Sequence, residues 1–312
     1  MSLPQTYVGV DIAKNWIDIF DPETNTAQQI SARPKRLTEY AHTMTGTIVV
    51  FEASGGYERL LMDTLAAHNI AYVRVNPRQS REFARATGRL AKTDKVDAKV
   101  LAQMGAALRL APTPHLDKTR AQLADMIARR EDIKAMMRAE NNRLSQARLA
   151  CIKRDIKSVL GHLAKRLAKL EEGIAVHVQT HDDLRQDACR LQTMPGIGPI
   201  LSTALIANLP ELGHMDRREI AALSGLAPHA RDSGLFKGKR RIWGGRANVR
   251  RTLYLAAFIA SRYDPTLHSF RKRLEAAGKP TKVALIATAR KLVTILNAMM
   301  KNNCDYRKPG LN

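Results

Sequence analysis

The apolar run TIVVF at Thr47–Phe51 constrains the fold of this chain more than any other segment. It carries no charge, it is rich in β-branched residues, and it ends directly on the acidic Glu52. A continuous run of this kind is typical of a strand that is covered on both faces of an α/β sheet. The sequence therefore predicts an α/β domain in which Glu52 follows a buried strand.

Further strands and helices are predicted around this run. In Tyr7–Ile12 every second residue is apolar, and Gly9 and Asp11 share the opposite face. Trp16–Phe20 follows after a turn, which predicts a hairpin. The remaining predicted elements are a strand at Ala71–Val75 and helices over Glu58–His68 and from Pro77 onward. We assign this α/β domain to residues 1–112.

The middle of the chain, residues 113–183, has a different character. From Leu116 to Val178 Gly and Pro almost vanish, and apolar residues fall at helical intervals. Steps of four and three residues connect Ile152, Ile156, Val159, Leu163, Leu167, Leu170 and Ile174. This spacing predicts a coiled coil or a long antiparallel helix pair. Whether it is a packed spacer or a dimerisation arm stays open.

The last part, residues 184–312, is predicted to be mainly helical. It begins with LQTMPGIGPILSTAL at Leu191–Leu205, which resembles a helix-hairpin-helix element. The glycines of its turn, Gly196 and Gly198, would let backbone N–H groups approach a phosphate closely. An ordinary turn between packed helices explains the same residues equally well.

The charge of the chain points to a polyanionic partner. Lys and Arg number 51 against 29 Asp and Glu, and the net charge is +22. Nucleic acid fits this excess best. No apolar run of about 18 residues and no secretory signal pattern are present, so we expect a cytoplasmic, nucleoid-associated protein with no membrane partner. The cysteines are three in number and widely spaced, which indicates neither a disulfide framework nor a zinc site.

The strongest basic cluster lies near the C-terminal end. Its members are Arg231, Lys237, Lys239, Arg240, Arg241, Arg246, Arg250 and Arg251, against the single acid Asp232. A solvated surface usually mixes both signs of charge, so this cluster favours contact with phosphates.

Four acids are predicted to form a metal site. Asp11 lies within a strand, Glu52 ends a neighbouring strand, and Asp94 and Asp97 in KTDKVDA lie on one face of a helix, with Cβ atoms about 5–6 Å apart. Like charges so close are unfavourable unless a cation lies between them. Carboxylates suit Mg²⁺ or Mn²⁺, which support phosphoryl transfer. Taken singly, each acid has an ordinary explanation as a turn former, a cap or a helix-dipole partner.

Four motifs together resemble the transposase family of bacterial insertion sequences numbered one hundred and ten, to which the Piv and MooV invertases are related. They are VGVDIAK (Val8–Lys14), FEASGGYE (Phe51–Glu58), KTDKVDA (Lys92–Ala98) and LAPHARDSGLFKGKRRIWGGRANVRRTLY (Leu226–Tyr254). The resemblance implies a RuvC-like, RNase H-type domain with a DEDD tetrad, a coiled-coil insertion, and a C-terminal transposase domain with a serine. By motif position the tetrad is Asp11, Glu52, Asp94 and Asp97, and the serine is Ser233.

The resemblance gives Ser233 a role that its residue type does not, since a Ser-Gly pair is ordinarily a turn. It implies that the hydroxyl attacks a DNA phosphodiester and leaves a 5′-phosphoserine link. A serine hydroxyl needs a base or nearby cations for such an attack. Lys237, Arg240 and Arg241 are placed in the sequence to clamp phosphate, and His229 is one candidate base.

The resemblance also implies partners. Donor and target DNA would be joined by a noncoding guide RNA that pairs with both, and a homodimer would assemble to a tetramer. Two other functional classes stay open: a RuvC-like nuclease or Holliday-junction resolvase that uses water, and a non-catalytic architectural or RNA-binding protein.

Overall fold

The chain folds into two units, Met1–His115 and Leu116–Asn312. A computed structural model describes residues 6–88, 94–113, 117–229, 232–233, 236–237 and 240–307. For residues 94–96, 232–233 and 236–237 it describes the backbone alone.

The first unit is an α/β domain with a mixed parallel and antiparallel sheet and helices. Its described elements are β1 (Thr6–Ile12), β2 (Trp16–Asp21), β3 (Thr26–Ser31), α1 (Pro34–Thr43), β4 (Thr47–Glu52), α2 (Arg59–Ala67), β5 (Ala71–Val75), α3 (Pro77–Ala86) and α4 (Asp94–Leu108). The strand order is β3-β2-β1-β4-β5, and β2 runs antiparallel to the other four. The predicted α/β class is confirmed, whereas β3 and α1 were not predicted.

The predicted burial of TIVVF on both faces is confirmed. Val49 and Phe51 belong to the core on the side of α1 and α2. Ile48 and Val50 belong to the core on the opposite side, with Leu101 of α4. The absence of charge in this run follows from this double coverage.

Helix α4 lies very close to the sheet because small residues face each other. A Cβ at Gly9 would overlap the carbonyl oxygen of Ala98 and lie 2.7 Å from the backbone nitrogen of Ala102. A Cβ at Gly105 would lie 2.6 Å from the ring of Tyr7. Gly105 is thus near the start of β1 and Ala98 is farther along it, so α4 runs antiparallel to β1.

The close approach of α4 makes Gly9→Ala a sharp test of this packing. The added methyl group meets backbone atoms that cannot rotate away, so we expect the free energy of unfolding to fall by about 2–3 kcal/mol. Denaturant unfolding followed by circular dichroism measures the change. Gly161→Ala is the control, because a Cβ there meets nothing within 4 Å and alanine favours its helix by up to about 1 kcal/mol. Equal stability of Gly9→Ala and the wild type would contradict the packing.

The second unit is mostly helical, as predicted. Its described elements are α5 (Lys118–Gln146), α6 (Ala150–Thr180), α7 (Asp182–Gln192), α8 (Pro199–Asn208), α9 (Arg217–Leu223), β6 (Pro228–His229), β7 (Asp232–Ser233), β8 (Phe236–Lys237), β9 (Arg241–Ile242), α10 (Ala247–Tyr263), α11 (Pro265–Ala276) and α12 (Thr281–Lys301). The four short strands were not predicted.

Helices α5 and α6 form the predicted long antiparallel pair. Leu123 near the start of α5 shares a core cluster with Val178 near the end of α6, and Arg130 is ion-paired with Glu171 at 2.7 Å. The predicted seam on α6 is buried only in part, since side chains near the connection such as Ile152 are 47% exposed. A coiled coil in the strict sense stays a prediction.

Helix α12 is, among the described residues, the one helix long and apolar enough to cross a membrane. The sequence expectation of no such stretch overlooked it, because Arg290 and Lys291 interrupt the apolar run. Leu292, Val293 and Leu296 are fully buried in the core of the second unit. Packing in this core accounts for the apolar character of α12.

Candidate active site and nucleic-acid surface

Asp11 and Glu52 lie on neighbouring strands and on the same face of the sheet. In the parallel ladder Val10 of β1 is paired with Phe51 of β4, so the next residues, Asp11 and Glu52, are adjacent. Side chains alternate along a strand, so Asp11 shares the face of Gly9, which α4 covers. Both acids are therefore at the carboxyl end of central strands, where β1 and β4 leave the sheet.

The other two predicted acids approach this edge on α4. The helix begins at Asp94, and Asp97 directly precedes Ala98, the residue that covers Gly9. Because α4 runs antiparallel to β1, its first turn points toward the end of β1 that carries Asp11. The fold thus directs the backbone positions of all four predicted acids to one edge of the sheet. The side chain of Asp94 lies outside the described residues.

The donor chemistry of this edge fits a divalent metal ion. Carboxylate oxygens are the ligands that Mg²⁺ and Mn²⁺ prefer. Among the side chains that the structure describes, no group of three or more acids, histidines or cysteines is close enough to hold a metal. The metal set is therefore a prediction carried by the placement of the four positions.

Ser80 holds the carboxylate of Glu52, a contact that the sequence did not predict. The Ser80 hydroxyl lies 2.5 Å from Oε1 of Glu52 and 3.0 Å from the carbonyl oxygen of Pro77. Ser80 is buried on the first turns of α3. The buried Ser80 hydroxyl of α3 thus donates to the acid at the end of β4 and orients its carboxylate. Residues that surround a metal site orient the metal ligands through hydrogen bonds of this kind.

Asp18 is a further acid beside Asp11 that the sequence did not single out. It is the cross-strand partner of Asp11 in the β1–β2 hairpin and is buried. The amide of Gln29 on β3 donates to both carboxylate oxygens, at 3.2 and 3.1 Å. Opposed acids are unfavourable on a sheet, and the Gln29 amide offsets part of that cost. Asp18 comes seven residues after Asp11 in the sequence, and only the register of the hairpin shows that the two acids are paired.

The segment after Glu52 is held by Glu58, the last residue of FEASGGYE. The buried Glu58 carboxylate accepts hydrogen bonds from the backbone N–H of Ser54 at 3.2 Å and of Gly56 at 2.8 Å. It also accepts one from the Ser54 hydroxyl at 3.0 Å, and it is ion-paired with Arg74 of β5 at 2.7 Å. Glu58 thereby fixes the path of the chain that leaves the candidate site.

These contacts shift the pKa of the Glu58 carboxyl. Burial alone acts to raise this pKa. Backbone hydrogen bonds from Glu58 and Gly56, with smaller contributions from the Arg74 charge and the Ser54 hydroxyl, outweigh burial and lower the pKa below its usual value. The charged form is the one that the fold favours.

The lowered pKa predicts how stability depends on pH. A carboxyl whose pKa is lower in the folded than in the unfolded chain stabilises the fold above the unfolded value, about 4.3, and this contribution is lost as pH falls through the folded value. Glu58→Gln should remove that part of the acid dependence and cost about 1–3 kcal/mol at neutral pH. Unfolding curves from neutral pH down to about pH 3 measure both effects. The control is Glu82→Gln, an exposed acid paired with Arg85, and an identical acid response in both variants would contradict the assignment.

Ser233 lies in a β-ribbon rather than in a simple loop. Pro228 and His229 of β6 are paired with β9, and inside that ladder Ser233 of β7 is paired with Phe236 of β8. Ser233 therefore belongs to the inner of two antiparallel strand pairs, β6–β9 and β7–β8, which together are called the ribbon. Its side chain is outside the described residues.

The predicted basic residues divide into two groups. Arg246 makes two hydrogen bonds to the carboxylate of Glu211, at 2.6 and 2.7 Å, and Arg250 donates to the carbonyl oxygen of Gly244 at 2.8 Å. These two guanidinium groups are engaged in contacts within the chain that stabilise the fold. The exposed members are Arg240, Arg241 and Arg251. Arg231 and Lys239 lie outside the described residues, and Lys237 is described by its backbone alone.

The two predicted turn glycines differ in their surroundings. Two helices, α7 and α8, flank the turn as predicted. A Cβ at Gly196 would lie 2.6 Å from the backbone nitrogen of Ala260 in α10. Packing against α10 thus accounts for this glycine. Gly198, at the N-terminal end of α8, has open space around it.

Two family profiles match the chain. One, described as a transposase and named for the DEDD type of IS110, matches residues 8–148. The other, described as transposase of the IS116/IS110/IS902 family, matches residues 188–272. The first range includes the four predicted acids and the second includes Ser233.

Two relatives match nearly the whole chain, and a third matches part of it. A pilin gene-inverting protein of Moraxella bovis is 30% identical over 98% of this chain and 99% of its own length. The pilin gene-inverting protein of Moraxella lacunata is 29% identical over the same shares. A protein of insertion element IS110 from Streptomyces coelicolor is 29% identical over 37% of this chain and 29% of its own length. The chain belongs to the IS110 family of transposases.

Proposed function

We propose that this protein is a DNA recombinase of a mobile element, which cuts and rejoins DNA strands. The observation that carries the proposal is the meeting of Asp11, Glu52 and the first turn of α4 at one sheet edge, in a chain of the transposase family. The names of the Moraxella relatives describe inversion of a gene, which requires DNA strands to be exchanged. The excess of 51 basic over 29 acidic residues supports a nucleic-acid substrate.

The acids would hold the metal ions of a RuvC-like, RNase H-type site. Asp11, Glu52, Asp94 and Asp97 are the proposed ligands, and Mg²⁺ is the proposed ion, with Mn²⁺ as a substitute. Bound there, divalent ions supply positive charge that stabilises the attacking and leaving oxygens of a phosphoryl transfer. Ser80 keeps the Glu52 carboxylate in place through its hydrogen bond.

Ser233 is the proposed nucleophile. Its hydroxyl oxygen would form a bond to phosphorus while the bond from phosphorus to the 3′ oxygen breaks. The serine proton ends on the released 3′ hydroxyl, and a 5′-phosphoserine link remains, which keeps the energy needed for rejoining. The position of Ser233 in the ribbon and the exposed Arg240 and Arg241 nearby in the chain support this role.

We also propose a guide RNA and a symmetric assembly. Base pairing by a noncoding RNA would choose donor and target DNA, while the protein contacts backbone and shape. Joining two duplexes requires more than one active site, so a dimer that pairs into a tetramer is the proposed assembly. The partly exposed seam of α6 supports a dimer contact. In the proposed organisation, residues 1–112 are the RuvC-like domain, 113–183 the helical arm, and 184–312 the transposase domain.

Two variants of the acid site should reduce activity to different extents. Asp11→Asn removes a ligand charge and should abolish strand exchange and weaken Mn²⁺ binding while DNA binding persists. Ser80→Ala should leave the fold intact but weaken Mn²⁺ binding and slow cleavage by about tenfold, because Glu52 loses its hydrogen bond. Calorimetric Mn²⁺ titration and a strand-exchange assay measure the two effects.

The control for Ser80→Ala is Ser224→Ala. Ser224 is also buried, and in the part of the chain that the structure describes its hydroxyl donates to the carbonyl oxygen of Ile220. It should change neither metal affinity nor cleavage. Full activity of Asp11→Asn, or equal Mn²⁺ affinity in the Ser80 and Ser224 variants, would contradict the proposed site.

Ser233 separates a recombinase from a water-using nuclease built on the same acids. Ser233→Ala should bind DNA normally and give neither cleavage nor strand exchange, because no other group replaces the attacking oxygen. A nuclease would keep cutting in this variant, since water attacks and the serine has no chemical task. Gel analysis of a labelled duplex distinguishes the two outcomes.

A further inference from the structure

Trp243 is an exposed aromatic side chain at the base of the ribbon that carries Ser233. It directly follows β9 and is 58% exposed. Its ring lies against the ring of His229 of β6, with centroids 4.9 Å apart and planes tilted by 49°. His229, a candidate base in the sequence, is also exposed and lies directly against the Trp243 ring.

The chain after Trp243 is firmly held. Gly244 and Gly245 adopt φ of 73° and 60°, a region that favours glycine. Arg250 donates to the carbonyl oxygen of Gly244 at 2.8 Å, and the backbone N–H of Arg246 donates to Leu223 at 2.8 Å. An indole on so fixed a backbone loses little freedom when a flat ligand stacks on it.

The charge around Trp243 suits a nucleotide. Arg240 and Arg241 come just before it and are exposed, and no acid occurs in the sequence between Asp232 and Asp264. Single exposed aromatic residues are common and need no explanation. An exposed aromatic ring close in the chain to exposed guanidinium groups is a combination that binds unpaired bases, which stack while the cations bind the phosphates.

We propose that Trp243, supported by His229, is a stacking platform for an unpaired base of single-stranded DNA near the cleavage site. The proposal rests on the proposed recombinase function, because strands that are cut and exchanged must leave their duplex. In an intact duplex both faces of a base are covered by its neighbours. The arginines would bind the phosphates next to the stacked base.

Fluorescence tests the platform directly. The chain has two tryptophans, so a Trp16→Phe background lets emission report Trp243 alone. A short single-stranded DNA should quench this emission, and an abasic oligonucleotide of equal length and charge should not. The intact oligonucleotide should also bind about tenfold more tightly than the abasic one.

Variants separate stacking from charge. Trp243→Ala should weaken binding of the intact oligonucleotide by about tenfold and leave the abasic one unaffected, with the same salt dependence. Arg241→Gln should weaken both and lower the salt slope by about 1. Tyr263→Ala, at the far end of α10 and 68% exposed, is the matched aromatic control and should change neither. Circular dichroism checks that each variant is folded.

Three results would overturn the proposal in distinguishable ways. Equal binding of intact and abasic DNA by the wild type would contradict base stacking on Trp243 and leave the proposed recombinase function unaffected. A base-dependent preference for RNA over DNA of the same sequence would reject DNA as the occupant. No binding of any nucleic acid by any variant would reject the proposed function together with the platform.

Discussion

The close approach of α4 to β1 is the contact on which the candidate site depends. Gly9 lets the backbone at Ala98 come against the strand, and this fixes where the first turn of α4 ends. A larger residue at Gly9 would lift the helix and with it Asp97 away from Asp11. The short motif VGVD therefore combines the glycine that lets α4 approach β1 with Asp11, a proposed metal ligand.

The second unit divides its arginines between structure and surface. Arg246 and Arg250 are engaged by Glu211 and by a backbone carbonyl, and they hold the segment that leaves the ribbon. Arg240 and Arg241 stay exposed on the ribbon. The same basic sequence thus both anchors the ribbon and presents exposed cations, and only the folded chain distinguishes the two roles.

Sequence reasoning found the elements with a clear apolar pattern, either periodic or continuous. Apolar residues in the sequence were enough to predict β1, β4 and β5 and the two long helices. The edge strand β3 was missed because only Ile30 in it is buried, so no alternation appears. The ribbon strands have two residues each, too few to show any period.

The sequence predicted the acids of the candidate site, but it did not predict the residues that contact and position them. Ser80 reaches Glu52 across 28 positions, and Asp18 meets Asp11 only through the hairpin register. Contacts of this kind depend on tertiary geometry that no local pattern encodes. Glu58 belonged to a motif, yet its role in holding the Ser54–Gly56 segment became visible only with the fold.

In the proposed function, one sheet edge of the first unit is the metal-dependent centre of a DNA recombinase. Anomalous X-ray diffraction from crystals of the protein with DNA and Mn²⁺ tests it most directly. We expect Mn²⁺ peaks within bonding distance of Asp11 and Glu52, with ligands from the first turn of α4. Mn²⁺ bound at another site in an active complex, with that edge empty, would contradict it.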